Sequence, residues 1–140
     1  MSPVPSLVCH PRQNQLLAAL PDADWDRWAP LLERVELAQG QVLYESDRAP
    51  THVGFPTTAI VSVLYLTQGG ASAEVAVVGN DGVVGVSLFM GIDSTPNRAV
   101  VQRAGLGYRL RAQAVRDEVS HGGPILTLML RYTQTRIAQM

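Results

Sequence analysis

Between Val42 and Leu110 the sequence is a succession of short runs rich in β-branched and apolar residues, and this punctuated pattern constrains the fold more than any other feature. The runs are Val42–Tyr44, His52–Phe55, Ile60–Leu66, Glu74–Val78, Ala99–Val101 and Tyr108–Leu110. Turn chemistry lies around them in Gln39-Gly40, Gln68-Gly69-Gly70, Asn80-Asp81-Gly82 and Gly105-Leu106-Gly107. Many short strands at such spacing predict a sandwich or barrel. Ile60–Leu66 is apolar at nearly every position and is expected to be covered on both faces. Tyr108-Arg109-Leu110-Arg111 alternates, which puts its two arginines on a solvated face.

Helical patterns flank this β region. Pro3, Pro5 and Pro11 fix extended backbone and withhold donors, so residues 1–13 read as a flexible N-terminal arm. Asn14 is placed to cap a short helix over Gln15–Leu20, which Pro21 stops. Asp22 and Asp24 offer cap oxygens to a second helix, where Trp25, Trp28, Leu31 and Leu32 form one buried stripe and Pro30 kinks or divides it. The two tryptophans are core anchors rather than a ligand cage, because their spacing already accounts for them. Beyond residue 111, Val115 and Val119 predict a helix over Ala112–Ser120, broken at Gly122-Gly123-Pro124. The final stretch carries Ile125, Leu128, Met129, Tyr132, Arg136 and Met140 along one stripe of a helix. That wide apolar face has no later element to cover it, so these six residues are expected at a homodimer interface, with further chain beyond residue 140; the alternative is that the helix folds back on its own barrel. The domains read as an arm over 1–13, a β-barrel domain with flanking helices over 14–123, and the start of a dimerisation helix over 124–140.

Composition removes several function classes. The chain of 140 residues suits one globular domain, and its 46% hydrophobic content can bury a real core. Eleven arginines and no lysine exclude Schiff-base and P-loop lysine chemistry. A net charge of −1 leaves no basic surplus for gripping nucleic acid. The single cysteine, Cys9, excludes an internal disulfide and any cluster needing four thiolates. No long apolar span and no basic-then-apolar leader occur, so the expectation is a cytoplasmic protein away from membranes.

Catalytic and metal motifs are also missing. His10, His52 and His121 are far apart, and no His-x-His of the kind a metal-binding cupin needs is present. No Gly-x-Ser-x-Gly elbow occurs, and Glu45 with Asp47 reads as a turn. The expectation is therefore no catalytic residue, no metal and no enzyme. The informative stretch is Gly79 to Gly91, in which glycines flank a short apolar turn, followed by Arg98-Ala99 leading into a strand. Backbone amides near Gly85, Val86, Ser87 and Leu88 can approach an anion closely, and Arg98 can add a guanidinium fork, which together would make a phosphate cradle; the alternative is an ordinary Gly-rich turn between strands with a solvated arginine.

Gly82-Val83-Val84-Gly85-Val86-Ser87-Leu88-Phe89, the arginine before a strand, and two closing helices with the last amphipathic resemble the sensor half of Crp/Fnr-type transcription regulators over residues 14–140. The resemblance implies a mainly β fold with flanking helices, the double-stranded β-helix (jelly roll) of the cyclic-nucleotide-binding domain. It also implies a homodimer through the last helix and DNA contact through a helix-turn-helix domain outside this chain. Gly85, Val86, Ser87, Leu88, Arg98 and Ala99 occupy the ligand motif. The family's Gly-Glu-Leu is here Gly85-Val86-Ser87, and its Arg-Ser or Arg-Thr is Arg98-Ala99. A hydrogen bond to an ionised group is worth about 1.5–3 kcal/mol, so the missing carboxylate weakens cyclic AMP by roughly tenfold or more. The implied effector is a cyclic nucleotide or other small anion, not cyclic AMP in its usual mode. The alternatives are a ligand-free dimerisation module of the same fold, a cupin-like metal-dependent enzyme, and a regulatory module attached to a kinase or channel.

Overall fold

The computed structural model describes residues 10–45, 50–66, 69, 72–85, 97–121, 123, 125, 127–129 and 131–132. The strands are β1 (Glu33–Leu37), β2 (Val42–Tyr44), β3 (His52–Pro56), β4 (Ile60–Leu66), β5 (Ser72–Val78), β6 (Asn97–Arg103) and β7 (Gly105–Arg111). The helices are α1 (Gln15–Ala18), α2 (Asp22–Trp28) and α3 (Ala112–His121), with 3₁₀ turns at Pro11–Gln13 and Ala29–Leu31. Two antiparallel sheets form, a three-stranded one in the order β1-β7-β3 and a four-stranded one in the order β2-β6-β4-β5. This is the expected jelly-roll architecture, mainly β with flanking helices.

The two faces of the three-stranded sheet do different work. Val53, Phe55 and Leu110 turn toward the helices, where they join Leu17, Trp28, Val115, Ile125 and Met129 in the largest buried cluster. Phe55 meets Trp28 edge-on, with ring centroids 6.1 Å apart. The opposite face turns toward the four-stranded sheet: Leu37 packs with Ala59 and Val101, and a bridge joins Gly54 to Val84, which packs with Val61, Val78 and Ala99.

Asn14 ties the helical cap to this sheet pair. Its side-chain oxygen accepts from the Leu16 and Leu17 amides at 3.0 and 3.3 Å, the cap that the sequence predicts. Its amide nitrogen donates to the carbonyls of Pro56 and Gly82 at 2.9 and 2.8 Å, and the residue is fully buried. Gly82 in turn lies under Tyr132, whose hydroxyl occupies the space that a side chain at 82 would need.

Several expectations are corrected. Pro11–Gln13 is not part of a loose arm: His10 caps it through the Arg12 amide, and the Arg12 guanidinium stacks 4.5 Å over Trp25. Residues 1–9 of the arm lie outside the described residues. The second helix starts at Asp22 with Pro21 at its cap and no side-chain cap, while Asp24 is buried against Arg27. The 3₁₀ turn around Pro30 divides that helix as expected, and it leaves Leu31 exposed while Leu32 still packs against the core with Trp25 and Trp28. Strand β4 is covered on one face only: Val61 is buried with Val63 packed beside it, while Ser62 on the other face donates to Glu74 at 3.1 Å. Gly105-Leu106-Gly107 is not a turn but the start of β7, paired with β1.

The last helix also departs from expectation. Ile125, Leu128, Met129 and Tyr132 are helical, but Ile125 and Met129 are fully buried within this chain, and Leu128 and Tyr132 pack beside them. Ile125 and Met129 therefore complete their own core and offer nothing to a second copy. Arg136 and Met140 lie outside the described residues.

Replacing Asn14 by Ala should cost about 2–4 kcal/mol, because it removes a helix cap and orphans two buried carbonyls. Asn14→Asp keeps the cap oxygen yet cannot donate to those carbonyls, so urea denaturation should show it destabilised as well.

Candidate functional site

A cavity of about 570 Å³ lies between the two sheets. Its walls come from β1, β2, β3 and β7, with Val61 of β4 and Val84 adding apolar cover. Strand register explains why space remains there. Pairing places Gly54 opposite Arg109, so the inward face of β3 lacks a side chain at its centre, whereas at Gly107, opposite Pro56, the Phe55 carbonyl and the Pro56 α-carbon already stand 3.2 Å from where a β-carbon would lie. A β-carbon on Gly54 would meet only Val84, at 3.7 Å, an ordinary contact. The volume falls within the range of about 300–1,000 Å³ common for small-molecule pockets.

Tyr44 and His52 are titratable groups in this wall. Burial pushes the Tyr44 phenol up, so it stays protonated and able to donate. His52 is shifted down, first by burial and then by Arg109 and Arg111, with Glu33 acting in the opposite sense. Its Nδ1 lies 2.9 Å from the Thr51 hydroxyl and its Nε2 lies 3.9 Å from Glu33.

The residues predicted as a phosphate cradle are brought together only in part. Gly85 is buried at φ +90°, a left-handed conformation that suits glycine, and a β-carbon there would press to 3.1 Å from the His52 carbonyl. Two hydrogen bonds fix the turn before it, Gly54 N–H to Val84 O at 2.9 Å and Val84 N–H to Gly54 O at 2.8 Å. Val86, Ser87 and Leu88 lie outside the described residues. Arg98 sits in β6, where its guanidinium pairs with Glu45 at 3.3 Å while its Nε is buried without a hydrogen-bond partner. Ala99 is fully buried in the cluster that holds Val84, so its methyl serves the core and does not line the cavity. Its strand partner Tyr44 does line it.

Sequence reading missed His52, Gly54, Gly107 and Arg109 as cavity residues. A detectable signal existed in glycines inside strands, which mark close approach or unfilled space. Arg109 and Arg111 are exposed, as the alternation predicts. They belong, however, to the face turned toward the other sheet, at the open end of the roll.

No family model matches the sequence, and no curated protein matches it. Solved structures do. The catabolite activator protein of Thermus thermophilus superposes with a TM-score of 0.69 at 14% identity, covering 89% of this chain and 58% of that one. The sensor domain of the transcriptional regulator DNR from Pseudomonas aeruginosa gives a TM-score of 0.69 at 15% identity, covering 91% and 86%. The fold is that of regulator sensor domains. It extends to the regulatory subunit of a cAMP-independent protein kinase A from Trypanosoma cruzi bound to guanosine, with a TM-score of 0.68 at 16% identity, covering 91% and 50%. This chain thus spans 58% of the Thermus protein's length. The matched proteins are regulatory and sensor proteins rather than enzymes. Among the described residues no group of three His, Cys, Asp or Glu side chains could hold a metal, and no helix is long and apolar enough to cross a membrane.

The direction of the His52 shift sets a pH dependence. In the unfolded chain His52 titrates near its ordinary value of about 6.5, and in the fold it titrates lower. Its contribution to stability is therefore complete above about pH 6.5 and is lost as pH falls through the folded value. Denaturation midpoints measured between pH 7.5 and 5 should fall, and His52→Gln should flatten part of that fall.

Proposed function

We propose that this chain is the effector-sensing and dimerising domain of a Crp/Fnr-type transcription regulator, without catalytic activity of its own. The observation that carries this reading is the cavity between the sheets of a fold shared with regulator sensor domains. The effector is a cyclic nucleotide or other small anionic molecule. Gly85, Val86, Ser87 and Leu88 supply main-chain amides to it, and Arg98 supplies a guanidinium. The left-handed turn at Gly85 and the unpartnered Arg98 Nε support that assignment. Ala99 contributes backbone position only.

In this reading two copies pair through the remaining surface of the last helix, with Leu128, Tyr132, Arg136 and Met140 as candidates and Ile125 and Met129 excluded. DNA is contacted by a domain outside this chain. An effector acts through its differential affinity for two dimer arrangements. A ligand-free dimerisation module is the second reading, favoured by Glu45 already occupying the Arg98 guanidinium.

A thermal-shift screen of cyclic mono- and dinucleotides separates the two. An effector at a hundred times its dissociation constant should add about 2.7 kcal/mol to the folded state. Arg98→Ala should abolish that response and leave the unliganded midpoint within about 1 kcal/mol, since a surface pair with Glu45 is worth little. A screen without any response favours the ligand-free module. Light scattering across a concentration series should show a dimer, and a monomer at every concentration removes the pairing from the proposal.

A further inference from the structure

The face of the three-stranded sheet that looks into the roll carries Glu33, Val35 and Leu37 on β1, His52, Gly54 and Pro56 on β3, and Gly107, Arg109 and Arg111 on β7, as their pairing requires. Along this face chemistry changes in one direction. Leu37, Pro56 and Gly107 are apolar or bare. His52, Arg109 and Arg111 at the other end are polar or charged, and Arg116 approaches from α3. These groups line a second, more open cleft of about 510 Å³ that shares Thr51, His52 and Arg109 with the inter-sheet cavity. The two spaces therefore abut at His52: the first has an apolar wall at Leu37, Leu43, Val61 and Val84 beside its polar groups, and the second is cationic.

The cationic end is incompletely neutralised. Arg109 donates to Glu33 at 3.1 Å, and Glu33 is the one carboxylate among the described residues lining the cleft. Arg111 and Arg116 are exposed and make no hydrogen bond or ion pair with any described residue. Three guanidiniums thus line the cleft with one carboxylate among its described residues, beside His52, whose pKa burial, Arg109 and Arg111 lower.

We propose that this end of the roll binds the anionic head group of an amphiphilic effector, a carboxylate or phosphate held by Arg111 and Arg116 beside His52, with the apolar body in the inter-sheet cavity. The site is distinct from the Arg98 cradle, and the proposal rests on the reading of the cavity as the effector site. Guanidiniums match both head groups through paired N–H donors, and the apolar body gains by leaving water. A purely polar anion would leave the cavity unused, and a neutral apolar molecule would leave the arginines unpaired.

Calorimetric titration with octanoate, octyl phosphate and 1-octanol tests it. Both anions should bind at least tenfold more tightly than the alcohol, and their relative affinities tell carboxylate from phosphate. The double variant Arg111→Ala/Arg116→Ala should erase the difference while its unliganded melting midpoint stays put, since neither side chain has a partner among the described residues. Gly54→Leu should fill the cavity and abolish binding of all three. Equal binding of octanol and octanoate overturns the head-group assignment, as does inorganic phosphate binding as tightly as octyl phosphate. Anion binding lost in Arg98→Ala but kept in the double variant also overturns it, while leaving the sensor reading intact. Conversely, anion binding that depends on Arg111 and Arg116 in a chain that light scattering shows to be a monomer at every concentration supports this site and counts against sensing through the dimer.

Discussion

The register between β3 and β7 is the constraint from which the rest of the molecule follows. Pairing Phe55 with Tyr108 and Val53 with Leu110 sends Val53, Phe55 and Leu110 toward the helices, and it sends His52, Gly54, Arg109 and Arg111 into the roll. Strand side chains alternate with a period of two, so a slip of one residue would bury two arginines under Trp28 and expose the main core. That penalty fixes the register. The sequence satisfies it by placing its strand glycines on the inward face, where Gly54 leaves room between the sheets and Gly105 and Gly107 let backbone approach closely.

Packing on the outer face of the same sheet then determines where the helices lie. Trp28, Leu17 and Val115 converge on Val53, Phe55 and Leu110, and the helical segment from Ile125 to Met129 closes the cluster. Arg27 links α2 to α3 through Glu118 at 2.6 Å, and the buried carboxylate holds the guanidinium firmly protonated. Asn14 completes the arrangement by joining α1, the end of β3 and the turn at Gly82 through a single side chain.

Much of this architecture was legible in the sequence, for reasons that differ by element. Ile60–Leu66 and Val42–Tyr44 were bounded correctly because β-branched runs met turn residues at both ends. Asn14 announced itself as a cap by its place before Leu16 and Leu17. Strand β1 escaped because Glu33-Arg34-Val35-Glu36-Leu37 is an edge strand with charged residues along it, and its pairing with β7 is a long-range fact absent from local pattern. The terminal stripe was read as a seam between copies because its amphipathicity says that it must be covered, not by what. The core beneath Val53 and Leu110 supplies that cover for Ile125 and Met129. The site was harder still. Gly85 and Arg98 stood out as local motifs, whereas the cavity depends on Gly54 facing the other sheet across walls drawn from β1, β2, β3 and β7.

The contact between Gly82 and Tyr132 has a mechanical consequence. No atom can be added at position 82 without displacing the tyrosine ring, and the carbonyl of the same residue is held by Asn14. The turn that leads to Gly85 and the terminal helix therefore meet with no spare layer of atoms between them, and position 82 admits glycine alone unless the Tyr132 ring swings aside.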